Sequence, residues 1–82
     1  MSTNHKRFIL EKMIRHDWIG AKHTNIQNIP KGKPRHEHKE IMKTLKELDK
    51  YGFFIKKPKS DGLHISLNPH MLPKIRELLE KE

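Results

Sequence analysis

The chain reads as a small α+β domain, and three observations predict it. Ile41, Leu45 and Leu48 recur at helical spacing in a stretch that opens with Pro34 and closes with Gly52. Immediately after it, Phe53-Phe54-Ile55 and the alternating Leu63-His64-Ile65-Ser66-Leu67 flank Lys59-Ser60-Asp61-Gly62, which is a hairpin pattern. Apolar residues at helical spacing then return at both ends of the chain.

The central helix is expected to run from about Pro34 to Tyr51. Proline suits its first residue, where the missing N–H costs nothing, and Gly52 suits the position just past its end. Phe53 to Pro58 is rich in aromatic and β-branched residues and reads as a strand. Pro58 sits near its turn end, where a lost ladder donor is tolerable. In a simple hairpin two adjacent side chains point to opposite faces, so either Phe53 or Phe54 is expected to stay partly exposed or to cover an interface.

At the N-terminal end, Thr3 to His16 carries Leu10, Met13 and Ile14 on one helical face. Trp18, Ile19 and Gly20 close it, and residues 21–24 suit a short extended piece. Thr24 is placed to cap a very short helix bearing Ile26 and Ile29 before Pro30-Lys31-Gly32-Lys33-Pro34 breaks the chain. After Asn68-Pro69, Leu72, Ile75, Leu78 and Leu79 form the apolar face of a last helix. Pro73 implies that regular helix begins near residue 71 or that its first turn is distorted.

Eighty-two residues make one domain, 1–82, and an apolar content of 33% makes its core thin. Either that core is used efficiently or a dimer contact completes it. With no cysteine there is no disulfide framework, thiolate nucleophile or cysteine-held zinc. No apolar run approaches the ~20 residues of a membrane span, and Met1 to Arg7 leads into no signal-peptide core. The expected setting is therefore intracellular, cytoplasmic or nucleoid-associated, with no membrane. The net charge of +8 and pI near 9.9 favour a polyanionic partner.

That charge is sorted. At about 100° per residue, Lys39, Lys43, Lys46 and Lys50 fall within roughly 60° of one another, opposite Ile41, Leu45 and Leu48. Arg35 and His36 extend the stripe toward the helix start, while Glu37, Glu40 and Glu47 project to its flank. Solvation needs polarity but not one sign of charge drawn into a line, and nucleic acid is the polyanion that selects it. The competing reading is a solvated helix face held by Glu40–Lys43 and Glu47–Lys50 pairs.

The order helix, short strand, short helix, long helix, hairpin, helix resembles the winged helix-turn-helix superfamily. Residues Ile41 to Phe54 look like the end of a recognition helix followed by the start of a wing, and Gly62 to Leu67 fits the second wing strand. The resemblance implies a three-helix core with a two- or three-stranded β-wing and a C-terminal helix. It covers most of the chain and is strongest over residues 34–67. The chain departs from it between Asn25 and Ile29, where the family has a helix of two to three turns followed by a tight turn. The resemblance further implies that the lysine stripe lies on or beside a groove, and that Arg35, His36 and Lys39 read bases.

Two further basic clusters complete the candidate surface. Lys31 and Lys33 flank Gly32 ahead of a helix N-terminus, where backbone amides attract phosphate. Lys56, Lys57 and Lys59 lie on the wing; lysine and proline there also protect an exposed hairpin from strand pairing. His36-Glu37-His38 does not make a metal site on a helix, because residues two apart diverge by about 200°. His16-Asp17 and Ser60-Asp61 lack a third orienting group, so no catalysis is expected. Trp18 and Tyr51 have the chemistry to stack on bases, but each ends an apolar stripe and is expected in the core.

The reading is a non-catalytic nucleic-acid-binding domain without cofactor, metal or small-molecule substrate. Double-stranded DNA is the first partner, in a transcription-regulator-like or chromatin-associated role, from a monomer or a homodimer. RNA binding, as in a ribosome-associated winged helix, is the first alternative. A protein-interaction module is the second.

Overall fold

In the computed structural model, residues 2–81 are described, with side chains from His5 onward. The elements are α1 (Ser2–Arg15), β1 (Thr24–Asn25), α2 (Arg35–Asp49), β2 (Phe54–Lys59), β3 (Gly62–Leu67) and α3 (Leu72–Lys81). Short 3-10 helices at Ile26–Asn28 and Pro69–Met71 join β1 to α2 and β3 to α3. The molecule is thus α+β, with three α-helices and a three-stranded antiparallel sheet in the order β1-β3-β2. No helix among the described residues is long and apolar enough to cross a membrane.

α1 buries Ile9, Leu10 and Met13 completely against α2 and the sheet. Its end is sharper than Trp18-Ile19-Gly20 implied. Trp18 N–H donates to Met13 O at 2.9 Å and Asp17 N–H to Ile14 O at 3.0 Å, while Asp17 takes the left-handed φ of 60°. This pair of bonds closes the helix in the way glycine usually permits, with aspartate in the glycine position. The chain then runs beside β3: Leu67 N–H donates to Trp18 O and Gly20 N–H to Leu67 O, both at 2.9 Å.

A short strand does precede the Ile26 turn, but it covers Thr24–Asn25 where residues 21–24 were expected, and the cap is Asn25, not Thr24. Asn25 Oδ1 accepts from Gln27 N–H at 2.9 Å, and the helix it starts lasts only residues 26–28. One turn stands where the resemblance implies a full helix, because Pro30 follows at once.

α2 matches the predicted span to within two residues at either end. Pro34 is its N-cap, not its first residue, and Lys50 its C-cap. Ile41, Thr44, Leu45 and Leu48 are its buried residues; Thr44 hides its hydroxyl by donating to Glu40 O at 2.9 Å. Gly52, at φ 76°, makes the turn into β2.

Both Phe53 and Phe54 are buried, at 3% and 9% exposure. Phe53 precedes β2 and lies in the bend after Gly52, so strand alternation does not govern it. Asn68 N–H donates to Phe53 O at 2.8 Å and ties that bend to the end of β3. Within the hairpin, Lys59 pairs with Gly62 across Ser60 and Asp61, and Lys57 pairs with His64. Ile65 and Leu67 face the core. Asn68 then caps the second 3-10 helix through His70 N–H at 3.0 Å. Pro73 falls in the first turn of α3, where it breaks no helical bond. Ile75 anchors α3 in the core.

Candidate nucleic-acid interface

α2 is about 22 Å long at 1.5 Å per residue, and it carries one open basic face. Arg35, His36, Lys39, Lys43, Lys46 and, at the cap, Lys50 are all exposed. Lys39, Lys43 and Lys46 surround a shallow depression of about 610 Å³ together with Glu40 and Met42. Among the described residues, no ion pair within 4.0 Å engages Lys39, Lys43, Lys46 or Lys50. The Glu40–Lys43 and Glu47–Lys50 pairs that an ordinary solvated face would use are therefore not formed.

The loop before α2 is pinned from below by a residue the sequence pattern did not single out. Lys12, on α1, is 8% exposed, and its ammonium donates to Asn28 O at 2.9 Å, Ile29 O at 3.2 Å and Lys31 O at 2.6 Å. Burial lowers its pKa from the ordinary lysine value, with Arg15 and Lys31 adding like charge. Three carbonyl dipoles hold this ammonium, and no carboxylate among the described residues does. His38 Nε2 donates to Lys33 O at 2.8 Å, and the Lys33 ammonium lies 5.1 Å from the centre of the Phe8 ring. Lys31 and Lys33 thus sit on a fixed loop beside the helix start.

Glu37 and His38, neighbours on the helix, meet different partners, His5 and the Lys33 carbonyl. Glu37 Oε1 meets His5 Nε2 of α1 at 3.2 Å, and the other ring nitrogen of His5 is buried without a partner among the described residues.

The lysines of the β2–β3 hairpin do not form one cluster. Lys56 turns toward α2 and pairs with Asp49 at 2.6 Å. Lys57 and Lys59 lie on the opposite face of the sheet, with His64 and His23. Alternation along β2 separates neighbours 56 and 57, so only the α2 side of the hairpin adjoins the basic face.

On the other sheet face a polar chain has formed. Asp61 Oδ1 accepts from His64 Nε2 at 2.9 Å, and the Nδ1 atoms of His64 and His23 are 2.9 Å apart, sharing one proton. Asn25 Nδ2 donates to Asp61 O at 3.0 Å. Asp61 therefore does have an orienting partner, three residues on in sequence, and a second histidine from across the sheet. The hydrogen bond from His64 holds the Asp61 carboxyl below its ordinary pKa. His23 is lowered too, by desolvation first and then by Lys59, His64 and Lys57, with Asp61 opposing.

Trp18 is half-buried and stacks on His16 at 4.5 Å, whereas Tyr51 is 65% exposed, outside the core where the helical stripe had placed it. The stripe stops at Leu48; the tighter last turn rotates Tyr51 away from it.

No family model, curated protein or solved structure matches the chain.

Proposed function

We propose that this chain is a non-catalytic winged-helix domain that binds nucleic acid, duplex DNA first, with α2 as recognition helix and the β2–β3 hairpin as wing. The observation that carries the reading is the unpaired lysine line of α2. Four ammonium groups share one exposed face, and neighbouring carboxylates that have the spacing to neutralise them do not do so. Unpaired like charge destabilises a compact monomer and is offset when a polyanion binds and its counterions are released. The element order, with the long helix leading into a hairpin that packs beside it, supports the winged-helix assignment.

The division of labour follows from the chemistry. Lys43, Lys46 and Lys50 suit phosphates, with Lys31 and Lys33 reaching the backbone ahead of the helix. Arg35, His36 and Lys39, at the helix start, are placed to reach base edges, and Arg35 has the fork that grips guanine. Lys56, committed to Asp49, positions the wing against α2. Lys57 and Lys59 face away and engage only a ligand that wraps the hairpin. With lysines dominating, binding is steep in salt and modest in sequence preference. A transcription-regulator-like or chromatin-associated role suits that profile.

Fluorescence anisotropy against labelled duplex DNA and duplex RNA of equal length, over a salt series, tests this. Tighter binding to DNA with a log–log salt slope of about −4 to −5, as for roughly five neutralised phosphates, is expected. Preference for the RNA duplex would move the domain to A-form backbone recognition. No binding at low salt would leave a protein-interaction module.

A further inference from the structure

Among the described residues, Tyr51 is the one large apolar side chain left strongly exposed. The end of α2 puts it there. Tyr51 N–H donates to Leu48 O and Gly52 N–H to Asp49 O, each at 3.0 Å, so the backbone is fixed up to the turn. Gly52 then reverses direction at φ 76° and sends Phe53 inward. The two rings stay in contact, with centroids 5.6 Å apart and planes inclined by 30°. Tyr51 is therefore braced by a buried ring while most of its own surface is open.

Its surroundings are cationic and come from three helices. Lys6 of α1, Lys74 of α3, Leu48, Phe53 and Leu78 line, with Tyr51, a shallow cavity of about 140 Å³. Lys50 and Glu47 border the adjoining depression, which Lys6 and Tyr51 share. Lys74 is drawn only loosely to Glu77, at 3.9 Å. Lys50 is also the last member of the α2 lysine line, so the basic face runs directly into this ring.

A braced, exposed aromatic ringed by ammonium groups matches a flat heteroaromatic ring carried on a phosphate backbone. Bases inside a duplex are already stacked on one another and offer no free face, whereas an unpaired base does. Resting on the nucleic-acid reading above, we infer that Tyr51 is a stacking platform for an unpaired nucleobase, so that the preferred ligand is a duplex continued by a single-stranded extension. The duplex lies along α2, and the strand leaves over Tyr51 between Lys6, Lys50 and Lys74.

The test is anisotropy with a blunt DNA duplex and the same duplex bearing a thymidine overhang, using the wild-type protein, Tyr51→Ala and Tyr51→Phe. Circular dichroism confirms that each variant is folded. The wild type should prefer the overhang, Tyr51→Ala should lose about tenfold on the overhang alone, and Tyr51→Phe should retain it. Equal wild-type affinity for the two probes, or a Tyr51→Ala variant that keeps the preference, overturns the inference while leaving duplex binding intact. Absence of binding to either probe at low salt overturns the nucleic-acid reading itself. Tyr51-dependent binding of poly-glutamate as tight as that of the overhang would also overturn it, in favour of an acidic protein partner.

Discussion

His23 and His64 meet through their Nδ1 atoms at 2.9 Å, across 41 residues of sequence, and they join the approach to β1 to strand β3. One proton serves both nitrogens. Lys57 and Lys59 stand close enough to oppose a second, and Asp61 holds the far side of His64.

This contact makes the domain sensitive to acid in a defined sense. His23 has its folded pKa below the ordinary value of about 6.5, so the unfolded chain binds its proton more readily. The contribution is complete above about pH 6.5 and is lost as pH falls through the folded value. Asp61, lowered by its bond from His64, contributes above the ordinary aspartate range near 3.9 and loses that as pH falls through its own depressed value. Urea midpoints measured from pH 8 to pH 3 should therefore decline in two stages. His23→Gln should flatten the first stage and leave the second; an unchanged first stage would assign it to another histidine.

Lys12 is expected to matter more to the proposed interface than its position on α1 suggests. Lys12→Met keeps the aliphatic stem and removes the three donors to residues 28, 29 and 31. Leaving those carbonyls without a partner should cost about 1–3 kcal/mol, read as a lower urea midpoint. Hydrogen exchange should also quicken at the amides of Lys31, Gly32 and Lys33, ahead of α2, and DNA affinity should fall although Lys12 lies outside the proposed contact surface.

Asp17 offers the opposite outcome. A non-glycine residue holds the left-handed position that closes α1, and among the described residues its one ion pair is an exposed one to Lys22 at 3.8 Å. Asp17→Gly relieves the backbone cost and should stabilise the domain by about 0.5–1 kcal/mol, measured as a higher melting temperature. A fall in melting temperature would show that the aspartate side chain contributes more than its backbone strain costs.

Much of this architecture was legible because local rules and packing agree. The apolar stripe of α2, the alternation of β3 and the stops at Pro34 and Gly52 each announce their element. What escaped is non-local or lies at element ends. Lys12 looks like one more solvated lysine until the fold gathers three carbonyls around it. His23 is brought to His64 and Asp61 only by the β1–β3 pairing. Phe53 escaped because a bend, not a strand, sets its direction, and Tyr51 because the last helical turn rotates past the buried face. Lys56 and Lys57 were separable from the start, since period two sends neighbours to opposite sides of a sheet. The lysine line itself was fully legible; that it lacks carboxylate partners among the described residues was not.

The measurement that bears most directly on the account is the affinity of the Lys39→Glu/Lys43→Glu/Lys46→Glu variant for duplex DNA, followed by anisotropy at several salt concentrations. All three side chains are exposed, so the far-UV spectrum and cooperative melting should remain those of the wild type. Affinity should drop by at least about a hundredfold at low salt, and the salt slope should flatten by roughly three phosphate equivalents. Unchanged affinity in a folded variant would contradict the account and reduce the lysine line to a solvated face.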